Sequence, residues 1–110
     1  ISGRIDSKKS IKDIIKAMMP GGSVIGCPKI STLNLLNHQE KDNRNIYTGS
    51  FGYIKSNLDM RFNIIIRSIL NYKGMCEISA ASGVVIGSTA EREYQENYIK
   101  AKSLLGLFRK

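Results

Sequence analysis

The run Asn63-Ile64-Ile65-Ile66-Arg67-Ser68-Ile69-Leu70 constrains this chain more than any other stretch. Its apolar density and β-branched content read as a buried strand, yet a guanidinium stands in the middle of it. Arginine is almost never fully buried without a partner, because an unanswered buried charge is costly. Two readings follow. Either Arg67 faces solvent or meets a structural carboxylate, or its planar fork binds the carboxylate of a ligand through paired hydrogen bonds. The run alone leaves both open.

Around it the pattern predicts three strands, over 46–55, 60–72 and 75–81. Ser56-Asn57-Leu58-Asp59 and Tyr72-Lys73-Gly74 are turn-like separators, so an antiparallel meander is the simplest arrangement. Ile11, Ile14, Ile15 and Met18 recur at helical spacing, which predicts a helix over 7–18 that Ser7 or Ser10 can cap. Pro20-Gly21-Gly22 ends it, and 21–28 reads as a glycine-rich loop. A second helix is expected over about 29–40, with Lys41 to Asn45 as a polar connector. Residues 83–88 form a short strand or loop, and a last helix is expected over about 90–108. Helix, helix, three strands, helix makes an α+β chain, with an antiparallel sheet packed against helices.

A chain of 110 residues buries a limited core. It opens on Ile1 rather than Met, which reads as a fragment or a processed product. No apolar run approaches the roughly 18 residues that cross a bilayer, and no leader-like segment appears, so no membrane association is expected. Cys27 and Cys76 show neither metal spacing nor a disulfide framework, which suits a reducing, cytoplasmic setting. The net charge of +8 fits a nucleic-acid binder or an enzyme for a small dianion equally well. The aromatics are not interleaved with the basic residues, and no helix-turn-helix or RNA-binding sheet motif appears, so nucleic acid is not the expected partner.

On the last helix, Tyr94, Tyr98, Ala101, Leu105 and Phe108 fall on one stripe, which reads as core. Glu93, Glu96 and Lys100 fall within an arc of roughly 60° on another face. They form either a solvent-facing ion-pair ladder or two carboxylates for one hard cation beside a lysine for an anion. Oxygen donors without usable His or Cys favour Mg²⁺. The loop Pro20-Gly21-Gly22-Ser23-Val24-Ile25-Gly26-Cys27-Pro28-Lys29 is neither a P-loop nor a dinucleotide fingerprint.

Taken together these segments resemble the chorismate-binding enzyme family. The resemblance runs nearly continuously from about residue 10 to 107. It is carried by Pro20-Gly21-Gly22-Ser23-Val24, Gly26-Cys27-Pro28-Lys29, Tyr47-Thr48-Gly49-Ser50-Phe51-Gly52-Tyr53 and Asn63-Ile64-Ile65-Ile66-Arg67. Gly83-Val84-Val85, Glu91-Arg92-Glu93-Tyr94, Glu96 and Lys100-Ala101 complete it. The resemblance implies that 1–110 is the C-terminal part of such a domain. It implies that Tyr47 and Arg67 hold a carboxylate of chorismate. Ser23, backbone N–H groups around Gly83, and Lys100 would add to the substrate site, and Glu93 and Glu96 would supply part of a Mg²⁺ site. Catalytic residues are expected outside this chain, above all a nucleophilic lysine upstream. The wording around Tyr47 and Phe62 is more similar to the branch that aminates chorismate to aminodeoxychorismate than to the anthranilate-forming branch. The implied partners are a glutamine amidotransferase subunit or domain and the upstream part of the same domain; the chain alone is expected to be inactive.

Some positions depart from the family pattern. Ile25 replaces the usual threonine, which removes any hydroxyl contact there. Ala81-Ser82-Gly83 replaces Gly-Ala-Gly, so Ala81 would be strained if that position needs a positive φ. Gly87 stands where an aspartate is usual, and Gln95 replaces an acidic residue.

Overall fold

The computed structural model describes residues 2–108. Helix α1 (Ile11–Met18) begins at Ser10, whose hydroxyl accepts from the Asp13 N–H while Asp13 accepts from the Ser10 N–H. This reciprocal capping box satisfies two donors that a helix start leaves unpaired. At the other end, Lys29 Nζ donates to the carbonyls of Lys16, Ala17 and Met19 at 3.2, 3.1 and 2.7 Å. It thereby covers orphan acceptors and complements the negative end of the helix.

The glycine-rich loop is not loop throughout, because Gly22–Ile25 closes a single helical turn, α2. Gly26 then reverses the chain at φ +100°, a conformation that favours glycine. A Cβ at this position would stand 2.8 Å from Thr32 Cγ2. Helix α3 (Lys29–Gln39) follows, with a Thr32 hydroxyl bonded to the Pro28 carbonyl in its first turn.

The expected three-stranded meander is instead two separate hairpins. Strands β1 (Ser50–Ile54) and β2 (Met60–Ile64) pair antiparallel from Ser50↔Ile64 to Ile54↔Met60. The ladder extends one step further through Thr48 N–H to Ile65 O and Ile65 N–H to Gly49 O. Strands β3 (Ile69–Tyr72) and β4 (Met75–Ile78) pair from Ile69↔Ile78 to Tyr72↔Met75. The single strand expected over 60–72 is therefore broken. Arg67 has φ +50°, and this left-handed residue turns the chain out of the first ladder before the second begins. Arg67 lies in the break and is exposed, not buried within a strand.

Helix α4 (Ala90–Leu105) ends in a 3₁₀ turn, Gly106–Phe108. Its expected core stripe is uncovered: Tyr94 is 70% exposed, and Tyr98, Leu105 and Phe108 are exposed too. Among the described residues only Ile25 and Thr48 are buried. The radius of gyration of 16.8 Å exceeds the roughly 13 Å of a compact domain of about 100 residues. The apolar periodicity of α4 is real, but the elements described here do not cover it.

Candidate functional site

A cavity of about 220 Å³ opens where α2, the turn before β1, the strand break, the segment after β4 and α4 converge. Ser23 and Val24 line it from α2, Tyr47 and Thr48 from the turn, and Ile66 and Arg67 from the break. The stretch from Ser79 to Gly83 forms another wall, and Lys100 and Leu104 close it from α4. All five substrate contacts expected from the sequence, Ser23, Tyr47, Arg67, Gly83 and Lys100, thus border one space. They come from segments up to 77 positions apart, so only the fold brings them together.

The local geometry explains each placement. Thr48 sits at φ +64° and Arg67 at φ +50°, conformations that cost side-chain-bearing residues roughly 1 kcal/mol or more. Such strain collects where a fold must aim a group. Arg67 makes no ion pair among the described residues, so its donors are free to meet an anion in the cavity. Lys100 is half-buried and held on two sides. Its ammonium donates to the Ala81 carbonyl at 3.0 Å and pairs with Glu96 Oε1 at 2.5 Å. The first contact ties α4 to the Ser79–Gly83 wall. At Gly83 a Cβ would meet nothing within 4 Å, so the backbone there is open to the cavity. Ala81 does not have positive φ, and the strain expected from replacing the family's glycine is absent. Ile25 is 8% exposed; at this departure from the pattern an apolar contact occupies the place of a hydroxyl.

Glu93 and Glu96 do not line the cavity. They lie on α4 one to two turns before Lys100. The Ser88 hydroxyl, which accepts from the Val85 N–H at 3.0 Å, donates to Glu93 Oε1 at 2.5 Å. That hydrogen bond, with lesser help from Ser82 and the charge of Lys100, holds the Glu93 carboxyl below its ordinary range. Glu93 Oε2 is shielded from solvent and, the weak influence of Ser82 aside, has no hydrogen-bond partner within 3.5 Å. One turn on, Asn97 Oδ1 is likewise shielded and unpartnered. An ionised carboxylate with a shielded, unpaired oxygen suits a cation. Among the described residues, however, no cluster of three or more His, Cys, Asp or Glu converges. The two glutamates can supply only part of a metal's coordination shell.

One residue of this neighbourhood was hidden in the polar connector. Arg44 grips Glu40 with a two-pronged fork, Nε to Oε2 at 2.8 Å and Nη2 to Oε1 at 2.6 Å. Its Nη1 donates to the Val24 carbonyl at 2.9 Å and to Thr48 Oγ1 at 3.3 Å. The fork raises the guanidinium's pKa and lowers that of Glu40. The sequence carried no signal for it: Glu40 and Arg44 lie beyond the end of α3 in non-helical chain, so their spacing of four is not a helical turn.

The pattern described as chorismate binding enzyme matches residues 1–106. The chain is 38% identical to aminodeoxychorismate synthase component 1 of Bacillus subtilis, over 92% of this chain and 22% of that protein. It is 38% identical to a probable chloroplastic aminodeoxychorismate synthase of Oryza sativa subsp. japonica, over 94% of this chain and 12% of that protein. It is 34% identical to anthranilate synthase component 1 1 of Haloarcula marismortui, over 96% of this chain and 22% of that protein. The chain thus spans a minor part of the length of these relatives. A family pattern that spans residues 1–106 and relatives 38% identical over more than nine-tenths of the chain lead to one conclusion: this chain belongs to the chorismate-binding enzyme family.

Proposed function

We propose that this chain forms the substrate-cleft portion of an aminodeoxychorismate synthase component I. Such an enzyme replaces the 4-hydroxyl of chorismate with an amino group and keeps the enolpyruvyl group. Its ammonia would come from a glutamine amidotransferase subunit or domain, and its product would lead to p-aminobenzoate and folate in the cytoplasm. The observation that carries the reading is the convergence of Arg67, Lys100 and Tyr47 on one cavity from three separate elements.

Chorismate is a dianion, and the cleft meets it with the guanidinium of Arg67, unpaired among the described residues, and with Lys100, whose ammonium is shared with Glu96. The Arg67 fork matches a carboxylate bidentately, and the Tyr47 hydroxyl can donate to the same group. Lys100, held at the cavity wall by the Ala81 carbonyl, would with Arg67 and the metal offset the charge of the departing hydroxide. Glu93 and Glu96 would hold Mg²⁺ together with ligands from outside this chain. When bound, the ion neutralises carboxylate charge on the substrate. In such an enzyme the ring-attacking nucleophile would be a lysine in a Pro-Ile-Lys-Gly-Thr motif, which these 110 residues lack, so on this reading they have no synthase activity alone.

The test uses the complete protein that carries this segment. Incubated with chorismate, Mg²⁺ and an ammonium salt, it yields aminodeoxychorismate, which becomes p-aminobenzoate only when a lyase is added. Anthranilate with released pyruvate would assign it instead to the anthranilate-forming branch, whose members are also among its relatives. No consumption of chorismate would overturn the proposal.

A further inference from the structure

Arg44 does not border the cleft, yet it bonds to two of the segments that wall it. It faces a second cavity, of about 520 Å³, and Tyr47 and Thr48 border both spaces. Its guanidinium joins three stretches of chain: Glu40 just beyond α3, Val24 at the end of α2, and the Thr48 turn. Each bond has a local reason. The Val24 carbonyl lies in the last turn of a four-residue helix, where acceptors lack helical partners. Thr48 is a β-branched residue at φ +64°, a genuine outlier for its type. Its hydroxyl donates to the Tyr47 carbonyl at 2.5 Å and accepts from Arg44. The strained turn that aims Tyr47 is therefore fixed through a hydroxyl that Arg44 holds.

We propose that Arg44 is a positioning residue for the chorismate cleft, which sets Tyr47 and the Ser23–Val24 edge in place without touching substrate. This rests on the functional reading above. Because Glu40 answers its charge, Arg44 is no general attractor of anions; its contribution is geometric. A lysine cannot replace it, since one ammonium cannot span a carboxylate fork, a carbonyl and a hydroxyl at once.

The test compares Arg44→Met, Arg44→Lys and Thr48→Ala with the parent in the complete protein, well below each melting temperature. For Arg44→Met, kcat/KM for chorismate is expected to fall roughly tenfold or more, with KM for ammonium unchanged. Arg44→Lys is expected to lose nearly as much. The Arg44→Met/Thr48→Ala double variant is expected to be no worse than Arg44→Met alone, because both substitutions break one unit. A lowered melting temperature with unchanged chorismate kinetics would make Arg44 purely structural and overturn the inference. If Arg44→Met does not fold, Arg44→Lys decides alone, and an unaltered chorismate KM and kcat sinks the idea. Arg67→Ala separates the two levels of argument. Chorismate use that Arg67→Ala impairs and the Arg44 variants spare defeats this inference only. Chorismate use that none of them impairs defeats the cleft reading as well.

Discussion

Ser88 donates its hydroxyl hydrogen to Oε1 of Glu93 from the turn that leads into α4, so the carboxylate is oriented by the chain itself. The same bond is the largest cause of the lowered Glu93 pKa. The folded pKa lies below the unfolded one. Ionised Glu93 therefore favours the fold at neutral pH, and that contribution disappears as pH falls through the folded value. Ser88→Ala should raise the Glu93 pKa toward the ordinary glutamate range and weaken this acid dependence. A carboxyl-carbon NMR titration of both proteins reads the shift. Superimposable Glu93 curves would contradict the assignment.

Arg67→Gly should separate stability from binding. Glycine accepts φ +50° without penalty, so relief of strain should stabilise the protein by about 1 kcal/mol. The same change removes the guanidinium and should weaken chorismate binding by about 1.5–3 kcal/mol, the usual contribution of a charge-assisted hydrogen bond. Thermal unfolding and titration calorimetry measure the two effects. Loss of stability, or binding that survives, would refute the pairing of strain with ligand contact.

Two glycines should respond in opposite ways. Gly52 stands opposite Phe62 in the first hairpin, and a Cβ there would lie 2.0 Å from the Arg61 carbonyl oxygen. That distance is impossible without moving backbone, and Gly52→Ala should cost about 2 kcal/mol or more. Gly83 has open space around it, so Gly83→Ala should leave stability within about 0.5 kcal/mol. Its added methyl borders the cavity and should still raise KM for chorismate. Unfolding curves with substrate kinetics on the complete protein test both halves.

Removing the Glu93 or the Glu96 carboxylate should weaken Mg²⁺ binding. Glu93→Gln takes the charge from a shielded, unpaired oxygen, whereas Glu96→Gln also releases Lys100 from its ion pair. That pair is partly exposed and adds little to stability, so Glu96→Gln should melt within a few degrees of the parent. Calorimetric titration with Mg²⁺ is the measurement. Unchanged affinity in both variants would remove these residues from the ion's coordination shell.

How far the residues disclosed the fold varies from element to element. The start of α1 was only half legible: the sequence offered Ser7 or Ser10 as cap and a helix from 7, whereas the Ser10–Asp13 capping box starts it at Ile11. The end of α3 was legible because the polar connector from Lys41 begins there. The split between β2 and β3 was not legible. Ile64-Ile65-Ile66 is apolar without alternation, and such a run does not mark where a chain leaves a sheet. The break falls on an arginine in a left-handed conformation, with no glycine to announce it. The Tyr94–Tyr98 stripe misled in another way: periodicity identifies a face fit for covering and is silent on what covers it. The cleft residues were visible through the wording of separated motifs, not through any local pattern. Arg44 was passed over because its partners are a carbonyl, a hydroxyl and a carboxylate brought to it by non-helical chain, and none of these leaves a trace in spacing.

The two hairpins each close on their own turns, at Asn57–Leu58 and Lys73–Gly74, and both tips are exposed and border none of the cavities described above. These tips are therefore handles. A fluorophore or short epitope placed there rides on hairpins whose far ends lead into the Thr48, Ile66–Arg67 and Ser79 walls of the cleft, and reports movement of the strand break without entering it.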